Sequence, residues 1–228
     1  MNKTDVKEVH IHGVSLLIED DIHSMTRKYV EQELRGDPYL IEKLQFKEND
    51  VVIDIGANVG IVSIYLSKKY PNITIYSYEP VPFNYDCFLR NIERNEVKNI
   101  FPHKLAVTDN GRPLFMIYSS ENTGGSTANL MKMNLSGHEK FIAESTTLDK
   151  ILQENDIHEC RLLKIDCEGS EHEILLNSSL LHNINFLGAE FHINQHLRNQ
   201  GYSVERLITH CHKHFPKRFR ATSLQIAE

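Results

Sequence analysis

The sequence predicts an α/β fold: an open, mostly parallel central sheet with helices on both faces and an N-terminal extension. Three observations carry this. The β-branched run Val51-Val52-Ile53-Asp54-Ile55 turns through Gly56-Ala57-Asn58-Val59-Gly60 into a stretch whose apolar positions 61, 62, 65 and 66 form a helical stripe. A second run, Ile73 to Tyr78, alternates like a strand and stops on Glu79-Pro80. A third, Arg161 to Cys167, is again largely apolar. Short apolar strands alternating with helical stretches are what a sheet covered on both faces requires.

At 228 residues the chain can bury one full core. With 40% hydrophobic and 25% charged residues it reads as soluble and globular. We divide it into an N-terminal extension or lid (1–48) and a catalytic domain (49–228). No run approaches the roughly eighteen apolar residues that a membrane span needs. Met1 to Asp5 is polar, without the apolar region of a secretion signal. The four cysteines form no Cys-x-x-Cys pair and read as reduced thiols, so a cytoplasmic location is expected. The net charge of −6 argues against a broad nucleic-acid surface.

In chain order, Val9 to Ile18 reads as a strand or hairpin, with His10 and His12 on one strand face. Asp20-Asp21 reads as the cap of a helix running to Gly36, and Leu40 to Leu44 as a short apolar helix. Pro82 can start a helix whose Tyr85, Phe88, Leu89 and Ile92 pack on the sheet, with Asn91 and Asn95 off that stripe. Residues 99–107 read as a third strand, interrupted by Pro102. Residues 108–146 break the rhythm and read as a small antiparallel excursion; Gly124-Gly125-Ser126 there suits a hairpin turn or, less well, a second binding loop. Thr146 with Asp149, and Ser170 with Glu173, have capping-box spacing. Asn185 to His192 reads as a strand, Val204 to Cys211 as a helix carrying His210 and His214 one turn apart, and Ala221–Ile226 as a last strand.

The chemistry concentrates at the strand ends. The loop lacks the Gly-Lys-Ser/Thr ending of a phosphate-binding loop. The dinucleotide spacing would put glycines where Asn58 and Ile61 stand, which disfavours a nicotinamide-dependent oxidoreductase. What remains is Asp54-x-Gly56-x-Asn58-x-Gly60, a turn that brings bare backbone and a helix N-terminus close to a ligand. Glu79, at the tip of the next strand, can accept from both ribose hydroxyls of an adenosine. Small Ala106 would let an adenine approach. Glu190 and His192 share one face at a strand's carboxyl end, where ligands bind in open α/β sheets.

Together these segments resemble the FkbM family of class I S-adenosylmethionine-dependent methyltransferases. The carriers are Asp54-Ile-Gly56-Ala-Asn58-Val-Gly60, Tyr78-Glu79-Pro80, Thr147-Leu148-Asp149, Glu190-Phe191-His192 and, most diagnostic, Leu163-Lys-Ile-Asp166-Cys-Glu168-Gly-Ser-Glu171. Cys167 and Ser170 stand where valine and alanine are common in the family. The resemblance implies a Rossmann-like class I methyltransferase fold ending in a helix and an antiparallel strand pair. It also implies S-adenosylmethionine as cofactor and O-methylation of a small-molecule hydroxyl, often on a sugar or natural product. Asp54, Gly56, Ala57, Asn58, Gly60, Glu79, Ala106 and Asp166 are then expected to bind the cofactor. His192, Asp166, Glu168 and Glu190 are expected to be catalytic, with His192, at its ordinary pKa, as the base. A divalent metal held by those four residues ranks lower. The alternative in another class is a cofactor-binding module without catalysis. No nucleic-acid or membrane partner is expected.

Overall fold

The computed structural model describes residues 3–119, 122–127, 139–216 and 218–225. The chain opens with β1 (Thr4–Ile11) and β2 (Val14–Asp21), an antiparallel hairpin. Its two-residue turn, His12-Gly13, has both residues at positive φ, as a tight hairpin turn demands. The ladder runs out to Asp21, paired with Thr4, so Asp20 and Asp21 belong to β2 and do not cap a helix. Asp21 instead accepts the His23 N–H at 2.9 Å, making a turn before α1 (Thr26–Arg35). The short helix expected at Leu40 to Leu44 is absent. Asp37 and Leu40 adopt left-handed backbone, so the chain turns repeatedly while still burying Tyr39, Ile41 and Leu44.

Then the alternating units begin: β3 (Val51–Ile55), α2 (Ile61–Lys69), β4 (Thr74–Tyr78), α3 (Pro82–Arg94) and β5 (Ile100–His103). The expected third strand splits, because β6 (Ala106–Thr108) leaves the main sheet. Pro102 lacks a donor and lies in β5 at the sheet edge, where that is tolerated. The excursion is β7 (Leu114–Ser119), β8 (Asn122–Thr127) and β9 (Glu139–Ala143), an antiparallel sheet in the order β8-β7-β9. Gly124-Gly125-Ser126 lie inside β8, so they form neither a turn nor a binding loop. β10 (Ser145–Thr147) pairs in parallel with β6, and α4 (Leu148–Glu154) follows. The cap of α4 is Thr147, whose side chain accepts from Lys150 N, one residue later than expected.

β11 (Leu162–Ile165), α5 (Glu171–Asn177), β12 (Leu187–Ile193), α6 (Gln195–Asn199), α7 (Val204–His214) and β13 (Phe219–Gln225) complete the fold. The main sheet has the order β13-β12-β11-β3-β4-β5, and every neighbouring pair in it is parallel. The closing antiparallel pair is therefore not found among the described residues. A crossover through α7 returns β13 to run beside β12 in the same direction.

Alternation along β3 feeds two cores. Val52 joins Ile64, Leu66, Ile75 and Phe88 under α2 and α3. Ile53 and Ile55 join Leu163, Ile174, Phe191, Leu207 and Phe215 under α4, α5 and α7. The hairpin supplies Val9, Ile11, Leu16 and Ile18 to the first core, and Leu34, Tyr39, Ile41 and Leu44 join them, so the N-terminal segment shares that core with the sheet.

Two asparagines fasten that hairpin. Asn91 accepts the Glu19 N–H at 2.7 Å and donates to Glu19 O at 3.0 Å; Asn95 does the same for Leu17 at 3.0 and 2.7 Å. The pair, one helical turn apart, meets alternate residues of β2 as a neighbouring strand would. They lie off the sheet-facing stripe because they face the hairpin. Asn91 also donates to Val59 O at 2.9 Å, in the glycine loop. We expect Asn91→Leu to leave buried backbone groups of Glu19 unpaired and to cost about 2–4 kcal/mol. A denaturant titration against wild type measures this; an unchanged midpoint would refute the fastening role.

Candidate active site

Strand order reverses between β3 and β11: the chain steps to β4 and β5 on one side, and to β12 and β13 on the other. The crevice at the carboxyl ends there is where an open α/β sheet leaves room for a ligand. A single cavity fills it. Gly56, Ala57, Asn58, Glu79, Ala106, Asp166, Glu168, Glu190 and His192 all line it.

At one end is the glycine loop. Gly56 has φ +81°, and a Cβ there would sit 1.8 Å from the Asp166 carbonyl oxygen. Only glycine lets the turn press against the end of β11. The N–H groups of Gly56 and Ala57 both donate to Tyr78 O, at 3.0 and 3.1 Å, which pins the loop to β4. Two residues expected to bind cofactor do not line the cavity. Gly60, at φ +88°, is required because a Cβ would strike the Phe88 ring at 2.0 Å. Asp54 is wholly buried: Ser63 Oγ donates to it at 2.6 Å, and Lys164 Nζ stands 3.1 Å away.

Lys164 is the residue that sequence reasoning missed. Its ammonium is buried with the Asp54 carboxylate and donates to Gly56 O at 2.8 Å, so Asp54 reaches the loop through it. Burial pushes its pKa down, but Asp54 and Asp166 more than reverse this and raise it above the ordinary lysine value. The available signal was a lone charge inside the buried strand Leu162–Ile165.

Glu79 accepts the Asn58 N–H at 2.8 Å on one oxygen and the Val81 N–H at 2.9 Å on the other. Burial nonetheless raises its pKa to about 7, against the pull of those donors. Beside it Ala106, Val107, Leu114 and Met116 give the cavity an apolar wall suited to a flat ring. Leu114 and Met116 come from the excursion β7, which the sequence offered no reason to place there.

At the other end Asp166 and Glu168 follow β11, and Glu190 and His192 project from β12. The N-terminal segment closes over them. Glu33 and Tyr39 line the cavity, and Tyr39 donates its hydroxyl to Asp166 Oδ2 at 3.2 Å. Tyr39 lies so close over β12 that a Cβ at Gly188 would come within 2.9 Å of its Cα.

The turn after β11 is organised by Glu171, not by a Ser170–Glu173 box. Ser170 makes no side-chain cap bond, and Glu173 pairs with Arg112 at 2.7 Å. Glu171, fully buried, accepts the N–H groups of Cys167 at 2.8 Å and Gly169 at 2.9 Å. It also meets His192 Nδ1 at 3.0 Å. Burial disfavours the charged imidazole, but Glu171, Glu168 and Asp166 outweigh that and raise His192 to about 10. An imidazolium cannot accept a proton, so this direction of shift runs against the base role expected from an ordinary histidine pKa. Burial raises Glu168 to about 8 and Glu190 to about 7.

Asp166, Glu171 and His192 bring ligand-type atoms within 4.8 Å of one another. The hydrogen bonds assign Glu171 to the turn and the imidazole. The other histidine pairs do not build sites. His12 sits in the hairpin turn with Nε2 3.0 Å from Leu34 O, and the rings of His210 and His214 lie against each other on α7.

Residues 54–217 match the methyltransferase FkbM domain family. The chain belongs to that family. S-adenosylmethionine is its cofactor. The cavity fits it: Gly56 keeps the loop free of a side chain, Glu79 lines the cavity with a carboxylate able to accept from ribose hydroxyls, and the apolar wall beside it offers a surface for a base.

Relatives are similar at modest identity. Methyltransferase 1 of Beauveria bassiana is 25% identical over 57% of this chain and 59% of its own length. The 31-O-demethyl-FK506 methyltransferase FkbM of Streptomyces tacrolimicus is 26% identical over 60% of this chain and 62% of its own. The chain thus spans about three fifths of these two curated relatives. Among solved structures, M. jannaschii TYW2 in complex with AdoMet is 25% identical with TM-score 0.35, over 45% of this chain and 44% of that one. Among the described residues no helix is long and apolar enough to cross a membrane.

Hydrogen bonds from ribose hydroxyls favour the charged form of Glu79 and would draw its raised pKa down. Binding of S-adenosylhomocysteine near pH 7 is therefore expected to release up to about half a proton. Calorimetry in buffers of different ionisation enthalpy reads this directly. The release should vanish in Glu79→Gln; if it persists there, Glu79 is not its source.

Proposed function

We propose that the protein transfers the methyl group of S-adenosylmethionine to a hydroxyl oxygen of a small molecule, a sugar or a natural product. The observation that carries this is the continuity of one cavity. It runs from the glycine loop and Glu79 to a cluster of carboxylates, an imidazole and a tyrosine at the strand ends. Carboxylates accept hydrogen bonds from hydroxyls, so the far end suits a polyhydroxylated acceptor. One relative's name, 31-O-demethyl-FK506 methyltransferase, places an oxygen as that protein's acceptor and supports the same atom here.

When bound, the cofactor supplies an activated methyl on a sulfonium. The chain's own contribution is alignment and proton removal. Lys164 and the Tyr78 carbonyl hold the loop, Glu79 takes the ribose, and the carboxylates orient the acceptor hydroxyl. Tyr39 and Glu33 cover the acceptor end and reduce its contact with water.

The test is incubation of the purified protein with methyl-labelled donor and a panel of hydroxylated sugars and natural products. Label on oxygen is the expected result. Label on nitrogen or carbon would overturn the oxygen assignment. Binding of the cofactor with no transfer to any acceptor would point to a non-catalytic module.

A further inference from the structure

We infer that Glu168 takes the proton of the acceptor hydroxyl, and that Glu171 is the positioning residue holding His192 as a fixed cation opposite it. The inference rests on the methyl-transfer reading above and adds the proton's destination. Its starting point is that one carboxylate, outside the cavity and without solvent contact, controls both partners. Glu171 grips the N–H groups of Cys167 and Gly169, the two residues that flank Glu168. Glu168 is left-handed at φ +59°, followed by Gly169 at φ +117°. A glutamate adopts that backbone at a cost, and it persists where its surroundings over-determine it. The Glu171 bridge supplies that constraint, and the turn presents Glu168 to the cavity.

The same carboxylate fixes the imidazole. An ionised Glu171 can only accept, so Nδ1 of His192 donates to it, and Nε2 is directed to the opposite side. There Glu168 Oε2 stands 3.8 Å away. The groups facing His192 come from several elements. Glu171 is on α5, Glu168 and Asp166 are on the turn, Glu190 is on its own strand, and Glu33 is on α1. Lys164 is on β11 but is committed to Asp54 and Gly56 O. His172 meets the His192 backbone carbonyl at 2.9 Å, and burial pushes its own pKa down. Glu171, whose own pKa is lowered, keeps its negative charge against Nδ1, and on that contact the imidazole stays protonated across the neutral range.

In the reaction the acceptor O–H bond breaks and its proton passes to the Glu168 carboxylate. The oxygen lone pair forms the bond to the methyl carbon. The carbon–sulfur bond breaks with its electron pair left on sulfur, giving S-adenosylhomocysteine. The imidazolium stabilises the negative charge that develops on the acceptor oxygen.

The experiment has two arms. In the first, nuclear magnetic resonance of imidazole-labelled protein follows the titration of His192, with no acceptor present. We expect His192 to remain charged at pH 8 in wild type. In Glu171→Gln, which keeps a carbonyl acceptor, its titration should fall toward the ordinary histidine value of about 6.5. A wild-type His192 that is neutral at pH 7 overturns the inference, as does a titration unmoved in Glu171→Gln. The second arm measures kcat and, for groups of the free enzyme, kcat/KM against pH. Glu168→Gln should lose on the order of 100-fold or more in kcat, together with the rising limb near pH 8. Its affinity for S-adenosylhomocysteine should hold. Loss of the limb in Glu190→Gln in place of Glu168→Gln overturns the assignment. If Glu171→Gln does not fold, the wild-type titration and the Glu168→Gln profile still decide. Failure of all oxygen transfer in wild type would sink the methyl-transfer reading and leave the His192 titration standing as a separate result.

Discussion

Lys164→Met is expected to destabilise the protein by about 3–5 kcal/mol, the scale for removing one partner of a buried ion pair. The methionine would fill much of the space. It would leave the Asp54 carboxylate buried with Ser63 still donating to it, and Gly56 O without the Lys164 donor. For a domain of ordinary stability that is a third or more of the total. Urea titration measures the loss. Asp54→Asn added to Lys164→Met should recover part of it, because the stranded charge is gone while the loop contact stays lost. The double variant separates the two functions of the lysine: stability returns in part, but affinity for S-adenosylhomocysteine does not. A Lys164→Met variant as stable as wild type would show that the pair contributes nothing.

Gly56→Ala is expected to abolish measurable binding of S-adenosylhomocysteine. Two costs combine. The residue sits at φ +81°, which costs a side-chain-bearing residue about 1 kcal/mol or more. The added Cβ would also meet the Asp166 carbonyl at 1.8 Å, so loop and strand end must separate. Forcing such groups apart costs about 1–3 kcal/mol, and the displaced atoms are those that line the cavity. Gly13→Ala is the matched control. It has a similar φ of +82° with nothing within 4 Å of the added Cβ, so it should show the backbone cost alone and bind normally. Equal binding losses in the two variants would mean that the close approach to β11 is unimportant.

Much of the cofactor end was legible because its signals are local. Gly56 needs a conformation only glycine adopts freely, Glu79 ends a strand, and the intervening helix fixes the distance between them. The acceptor end was legible only as residue types. Asp166, Glu168, Glu190 and His192 do line one cavity with the loop, but their roles depend on neighbours that are far apart in sequence. His192 looked like a base by its ordinary pKa. Glu171, 21 positions away, meets its Nδ1 and pushes its pKa up. Glu171 itself was visible in the diagnostic motif, yet nothing in the spacing said that its carboxylate turns back to Cys167 and Gly169.

The errors have the same origin. Asp20 and Asp21 look like a helix cap because capping is a local preference; pairing with β1 overrides it. Gly124-Gly125-Ser126 look like a turn, but they lie within β8, whose Asn122 and Thr127 pair with β7 on either side of a register shift. The expected antiparallel ending gives way to a parallel β13 because the direction of a strand is set by the crossover before it.

The sequence by itself determined the alternating α/β architecture, the glycine turn, the acid one unit later and the family. These follow from periodicity and backbone permissiveness, which act over a few residues. Only the tertiary structure decided which charges meet: Lys164 with Asp54, Glu171 with His192, and Tyr39 over Asp166. Coulomb energy and burial depend on separation in space, and the fold alone sets that for residues up to 127 positions apart.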